Sequence, residues 1–450
     1  MVCLLNSSAA GPGLVVSLTL GALLLPSMAR ADPFHHRNLM VGERAAGLGG
    51  AYVALSDDTA GLFHNPAGTP YSQELASATV NVLNRVETEY EEFFPDGASL
   101  SSTSSGLVPS YFGVQRSVGP YVLGFSIAVT DSLSERQIDS TAFAMNGATV
   151  DEFLSGDIDV DVYNAGPSVA MNFGGGWSGG MTLYGSYRDL RESRSIGGEA
   201  TRTGVEAGTT ERLNVLTSYR IEDTQYGLRP VLGLQYRASR GSLGLTVSRD
   251  FGIDREYHYF YRSSRNLVSQ NADGVQTPLQ VLNIDSDSKS SELQRYPWQI
   301  SAGASFLLTP SWRIALQADH YTEVTQTVIA GADANSPPVT RRFRDVTNFS
   351  IGTEVSLAHR TRVRGALYSD YANASVDDAG KFERREDIDL IGGALGFTYD
   401  SGKRQYKAGF YYSQGSGKGT LGDLGELNFS GEQAVGARSR NLTLFFGLEI

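Results

Sequence analysis

The last ten residues, NLTLFFGLEI, put Leu442, Leu444, Phe446, Leu448 and Ile450 on one face of an extended chain and Asn441, Thr443, Phe445, Gly447 and Glu449 on the other. Side chains alternate across a strand with a period of two, so this segment has one apolar and one mainly polar face. The same period recurs in WSGGMTLYGSYR, where Trp177, Met181, Leu183 and Tyr187 oppose Ser178, Thr182, Ser186 and Arg188. It recurs again in SWRIALQADHY, with Trp312, Ile314 and Leu316 opposite Arg313, Gln317 and Asp319. Strands of this kind fit a soluble sandwich or a membrane barrel, and alternation alone does not separate the two.

The connections do. Short turns at 117–120, 174–177, 239–242, 309–311, 358–361 and 401–404 alternate with long polar stretches at roughly 93–104, 132–158, 192–223, 263–294, 326–340, 376–386 and 417–439. Tight turns on one side and long loops on the other are the pattern of an outer-membrane barrel, with the turns facing the periplasm. The spacing predicts an all-β transmembrane antiparallel barrel of about fourteen strands, with both chain ends in the periplasm. Residues 209–222 are read as part of a hairpin rising out of the membrane, since a spanning strand there would break the rhythm.

Closure has a strict physical cause. Hydrocarbon offers no water to an open sheet edge, so each spanning strand pairs on both sides. The three tryptophans fall near strand ends, Trp177 and Trp312 beside short turns and Trp298 at the opposite end of its strand, where aromatic girdles meet lipid headgroups. Tyr (22), Phe (20) and Gly (51) are plentiful and Pro is sparse at 15, which also favours strands and turns.

The chain opens with an export signature. LVVSLTLGALLL (Leu14–Leu25), then Pro26 and Ala29-Arg30-Ala31, predicts a signal peptide over 1–31 cleaved before Asp32, although no basic residue precedes the apolar run. A transmembrane anchor is the poorer reading, because the run is short and no basic stop-transfer cluster follows. The one cysteine, Cys3, lies inside this signal, so the mature chain has neither disulfides nor thiolate ligands. A formal net charge of -12 speaks against a nucleic-acid-binding surface.

Between the signal and the first strand runs GERAAGLGGAYVALSDDTAGLFHNPAG (42–68). Gly47, Gly49 and Gly50 imitate a dinucleotide loop, but Tyr52 occupies the third-glycine position and no parallel α/β context surrounds it. The glycines instead suit a chain turning closely inside a lumen. Ser56 is the expected N-cap of a short helix with Asp57 and Asp58 in its first turn, weakened by Gly61 and ended by Asn65-Pro66.

This stretch resembles the N-terminal plug of the FadL/TodX-type outer-membrane transport family, typified by the long-chain fatty-acid transporter FadL and the toluene channels. Asn65, Pro66 and Ala67 match the family's Asn-Pro-Ala, and PWQISAGASFLLTPSWRIALQADHY resembles a late hairpin of the family. The resemblance implies a fourteen-stranded barrel in the bacterial outer membrane, with residues 32–74 as plug (hatch) and 75–450 as barrel. It implies passive uptake of small hydrophobic or amphipathic molecules such as long-chain fatty acids or hydrocarbons. Plug and gating residues are then Gly47, Gly49, Gly50, Asp57, Asp58, Asn65, Pro66 and Ala67; an inert N-terminal lead packed for stability alone is the bland alternative.

The long loops are more polar than a fatty-acid capture surface requires. That keeps open a PorV-like role, an outer-membrane component that binds or shuttles exported proteins in a secretion system. Arg188, Arg229, Arg313, Asp319, Glu354, Arg362, Arg364 and Asp370 fall opposite the apolar stripe and are the lumen candidates, either as cross-strand ion pairs or as binders of an anionic headgroup. Expected partners are outer-membrane lipid, a small hydrophobic ligand, the barrel-assembly machinery during insertion and, on the second reading, an exported protein.

Chemistry-bearing motifs are poor. GSGKGT (415–420) imitates a phosphate loop, but Lys418 is followed by Gly419 and the run falls in an expected outer loop. His35-His36 has no adjacent carboxylate on an expectedly flexible terminus. No enzyme activity, cofactor, metal or catalytic residue is expected.

Overall fold

The computed structural model describes residues 34–72, 76–94, 96–145, 147–203, 208–329, 339–358, 360–375, 385–420 and 434–450. The signal segment, its cleavage site and Cys3 lie outside the described residues.

Alternation becomes strand wherever the sequence shows it. The strands are β1 (Ala76–Tyr90), β2 (Leu100–Val118), β3 (Tyr121–Met145), β4 (Ala148–Gly174), β5 (Trp177–Thr203), β6 (Thr210–Ala238), β7 (Gly241–Ser248), β8 (Phe251–Gln270) and β9 (Gln276–Ser290). They continue as β10 (Gln299–Thr309), β11 (Trp312–Tyr321), β12 (Val324–Ile329), β13 (Val339–Phe343), β14 (Val346–Ala358), β15 (Thr361–Asp370), β16 (Arg385–Asp400), β17 (Gln405–Thr420) and β18 (Val435–Glu449). Fourteen of them close a ring in the order β1 to β7, β10, β11, β14 to β18, with β18 pairing back onto β1 from Ser77↔Glu449 to Tyr90↔Ala437. All pairings are antiparallel, and the expected strand number is met.

Lumen and lipid faces follow the predicted phase. Leu444 and Phe446 point outward while Thr443 and Phe445 are buried inside, and Ser178 and Thr182 are sealed in the lumen opposite exposed Met181 and Leu183. The exposed apolar residues, among them Phe125, Leu234, Leu245, Phe306, Ile351, Leu395 and Phe410, form a belt far larger than a water-soluble surface carries. Trp177, Trp298 and Trp312 are all exposed at its margins.

The stretches read as long loops are corrected in several places. Residues 132–158, 192–223 and most of 263–294 are not loops: β3 and β4 stay paired to Met145↔Ala148, β5 and β6 to Thr203↔Thr210, and β8 and β9 to Gln270↔Gln276. Beyond the lipid a strand keeps its backbone ladder but has no reason to keep an apolar face, so its polar composition reads as loop. The ascending hairpin through 209–222 is present as part of β6. In β6, Val231–Ala238 pair with β7 while Thr210–Leu228 pair with β8, so β8 and β9 extend the wall outward above β7. The GSGKGT run likewise is not a loop; Gly415–Thr420 pair with β16 from Leu390 to Arg385, an extended geometry that presents no helix N-terminus to a phosphate.

Residues 34–72 cross the inside of the ring. Helix α1 (Glu43–Gly47) packs against β15 to β18, α2 (Gly61–His64) against β3, and the 3-10 helix Pro66–Tyr71 against β3 to β6 on the other side. Ser56 is not the expected N-cap: its backbone is left-handed at φ 41°, and its hydroxyl donates to the carbonyl of Tyr52 at 3.1 Å. Asp57 and Asp58 therefore precede the helix, and the Asp58 carboxylate takes the Ala60 N–H at 2.9 Å. The helix is the single turn expected, ended at Asn65.

Candidate functional site in the lumen

Three buried ion clusters tie the N-terminal segment to the wall. Lys407 of β17 lies 2.6 Å from Glu43 and also contacts Glu449 of β18, while Thr79 of β1 donates to Glu43. Burial by itself raises the Glu43 carboxyl; the Lys407 ammonium and the Thr79 hydroxyl more than offset this and leave it below the usual glutamate range. The cluster spans the seam where the barrel closes.

The second cluster is centred on Arg44. Its guanidinium meets both oxygens of Glu354 at 3.0 Å and Asp57 at 2.6 Å, Arg364 reaches Glu354 at 2.6 Å, and Arg237 reaches Asp57 at 3.0 Å. Burial raises Asp57, and Arg44, Arg237 and Arg313 together bring it below the usual aspartate value. Asp58, equally buried, stays raised despite Lys407 and Arg44. The third cluster holds the start of the described chain: Arg37 pairs with Asp319 and donates to Ser350 at 2.5 Å, and the amides of His36 and Arg37 donate to Asp370 at 3.2 and 3.1 Å.

The plug candidates sit where close approach matters. Gly49 has φ 60°, and a Cβ there would stand 2.9 Å from that of Ala366; Gly47 faces Gly396, and Gly50 lies beside Arg37. Asn65 donates to the Val53 carbonyl at 2.8 Å and accepts the Ala67 N–H at 3.1 Å, while Ser178 of β5 donates to the Ala67 carbonyl at 2.6 Å. Pro66 fits because β5 has Gly180 opposite it.

Among the lumen candidates, Arg188 pairs with Asp223 at 2.9 Å and Arg229 with Asp250 at 3.1 Å, Arg313 approaches Glu354 at 3.9 Å, and Asp319, Glu354, Arg364 and Asp370 belong to the clusters above. Arg362 is only half-buried, in register with Ser356 and Thr398, and joins none of these clusters. Sequence reading passed over Arg37, Glu43, Arg44, Lys407 and Asp223. Glu43 and Arg44 stand inside the quoted motif, but nothing in a one-dimensional pattern pairs them with strands more than three hundred residues away.

His35 and His36 are not on a flexible end. His35 Nε2 lies 2.7 Å from the Ile388 carbonyl, and the His36 ring stacks on Tyr321 at 3.7 Å. They help to line a cavity of about 420 Å³ between the N-terminal segment and the outer lumen. Its flanks include Leu133, Ile158, Val160, Leu190 and Ile221 together with Tyr219, Tyr257 and Tyr259, and its lower part is ion-paired.

The wall beside this cavity is irregular. The β2–β3 ladder joins Ser104 to Glu135 and Tyr111 to Ala128, with no pair between them, and β1–β2 slips register from Asn81 to Asn84. Unpaired backbone is costly in hydrocarbon, so such a break stands out in a barrel. Leu39 packs against Val108 and Val129 at this break, and the Asn38 amide donates to Asp131 at 3.1 Å.

No protein family and no curated relative matches the sequence. Among solved structures the chain is similar to the toluene transporter TodX of P. putida, at 13% identity and a TM-score of 0.56 over 90% of this chain and 97% of that one. A Pseudomonas aeruginosa FadL homologue gives 12% and 0.56 over 94% and 99%. The Ralstonia pickettii toluene transporter TbuX gives 14% and 0.53 over 91% and 97%. At these identities what is shared is the fold, a FadL-type barrel.

Proposed function

We propose that this barrel is an outer-membrane channel for passive passage of small hydrophobic or amphipathic molecules, with residues 34–72 as its plug. The observation that carries the reading is the partly open cavity of about 420 Å³ lying directly on an ion-paired N-terminal segment. A pocket of this size, part apolar and part polar, suits a ligand of modest size. The exposed apolar belt supports a membrane location, and the shared fold with toluene transporters and a FadL homologue supports hydrophobic cargo. Leu39 at the β2–β3 break supports an exit through the wall. Fatty acids and monoaromatic hydrocarbons are both candidate cargo. β18, which closes the ring, is the segment we assign to the assembly machinery.

The test is flux into proteoliposomes of toluene, a phenol and a long-chain fatty acid. Faster entry than into protein-free vesicles is expected for at least one; identical rates for all of them reject the channel.

A second reading, docking of an exported protein, draws on β9. Among the described residues it pairs with β8 alone, and Leu279, Val281 and Ile284 are exposed on it. An open edge of that kind accepts an added strand. Cross-linking from β9 that captures no polypeptide removes this reading.

A further inference from the structure

Arg249 follows the end of β7, where Ser248 pairs with Gln299 at the start of β10. The opposite ends of both strands meet the short turns at 239–242 and 309–311, so Arg249 stands at the outer margin of the apolar belt. Its guanidinium carbon lies 5.4 Å from the Phe251 ring centre and 5.2 Å from that of Trp298, two rings exposed on the belt. Its Nε donates to the Tyr296 carbonyl at 3.0 Å, and neither terminal nitrogen has a hydrogen-bond or carboxylate partner among the described residues. Phe251 in turn forms an antiparallel bridge with Arg295, so the two side chains leave the same face. Arg295 is exposed, its carbonyl accepts from Gln326 at 2.7 Å, and its guanidinium likewise has no partner among the described residues. The arginines that face the lumen nearby are neutralised, Arg229 by Asp250 and both Arg188 and Arg255 by Asp223.

Aromatic rings gather at headgroup level, and a guanidinium placed there offers paired N–H donors that match a phosphate. A net charge of -12 repels anions from the chain as a whole, so two arginines without carboxylates make a local exception. We propose that Arg249 and Arg295 bind the phosphorylated headgroup of an outer-leaflet lipid, with Phe251 and Trp298 supporting its apolar part. Arg249 also borders the cavity, so an anionic solute arriving from within is the competing occupant. Its seat on two lipid-facing rings favours the lipid. The proposal rests on the membrane location argued above and not on the cargo, so lipid binding and flux fail independently.

The experiment is native mass spectrometry of the purified full-length barrel in a non-ionic detergent, offered diphosphoryl lipid A or the same lipid stripped of both phosphates. The wild type is expected to retain the phosphorylated lipid about tenfold more, the worth of a charge-assisted hydrogen bond. Arg249→Gln combined with Arg295→Gln is expected to lower retention to that of the stripped lipid. Arg220→Gln, which removes an exposed arginine paired with Glu222 on β6, is expected to leave it unchanged. Equal retention of the two lipids by the wild type overturns the proposal, and this comparison decides even if the double variant fails to fold. Undiminished retention in the double variant, or an equal loss in Arg220→Gln, overturns it as well. Inorganic phosphate or p-toluate that displaces the lipid at equal concentration overturns the lipid assignment in favour of a free anion or an anionic cargo; failure of both to compete upholds it. Selective retention without solute flux upholds the site and rejects the channel, and flux without selective retention does the opposite.

Discussion

Arg44 and Glu354 form a two-point pair, Nε to Oε2 and Nη2 to Oε1 at 3.0 Å each, between the N-terminal segment and β14. Both side chains are at most 9% exposed, and Arg364 approaches the same carboxylate. Truncating one partner of a buried pair strands the other charge, a loss of about 3–5 kcal/mol. Glu354→Ala leaves Arg44 and Arg364 facing each other without a shared anion. The expected outcome is a barrel that still folds but whose N-terminal segment is released, read as larger and noisier conductance in planar bilayers. Wild-type conductance in this variant would mean that the segment is held elsewhere.

Gly180 lets the Asn-Pro-Ala turn touch the wall. A Cβ at 180 would stand 2.7 Å from the Pro66 carbonyl carbon and 2.9 Å from the Ala67 nitrogen, both backbone atoms that cannot step aside alone. Gly180→Ala is expected to destabilise the seated turn by about 1–3 kcal/mol, as overpacking does. Limited proteolysis within 65–72 should accelerate while the heat-modifiable mobility of the barrel is kept. Unchanged cleavage would show that the turn is not anchored there.

Leu39 covers the break between β2 and β3. Leu39→Ala removes its contact with Val108 and Val129, and the amides of 105–110 and 129–134 should then exchange faster with solvent. If the break is the exit, flux of the carried solute rises as well. Faster exchange with unaltered flux would move the exit elsewhere.

Glu152 gives a pH dependence of known sign. It stands far up β4, whose 27 residues exceed the roughly ten that cross the membrane, so it belongs to the outer extension. It is 3% exposed, neither carboxylate oxygen has a hydrogen-bond partner among the described residues, and burial pushes its carboxyl up to about 7. The folded value lies above that of an unfolded glutamate, about 4.3, so folding retains a proton that the unfolded chain releases. Stability of the extension is therefore full below the unfolded value and falls as pH rises through about 7. After allowance for solvent screening the loss is about 1–2 kcal/mol. Hydrogen exchange of 150–156 should quicken from pH 5 to pH 8 in the wild type, beyond the intrinsic rate, and not in Glu152→Gln. Parallel profiles would place the carboxylate in water.

The sequence by itself determined the elements that depend on local repetition. The period of two in segments such as 441–450, broken by short turns at fixed intervals, requires one-sided strands, and lipid then requires that they close. Gly49 and the Asn65-Pro66-Ala67 turn were legible for the same reason, since positive φ and a proline stop are properties of neighbouring residues. Polar extensions such as 192–223 were illegible as strand because outside the membrane nothing obliges their faces to alternate. Partner choice was illegible too. Whether Arg37 meets Asp319, Glu43 meets Lys407 or Arg362 stays outside the three clusters depends on register and on where a crossing segment touches the wall. Tertiary structure alone decides that, because Coulomb attraction and desolvation act on distances in space that residue separation along the chain does not encode.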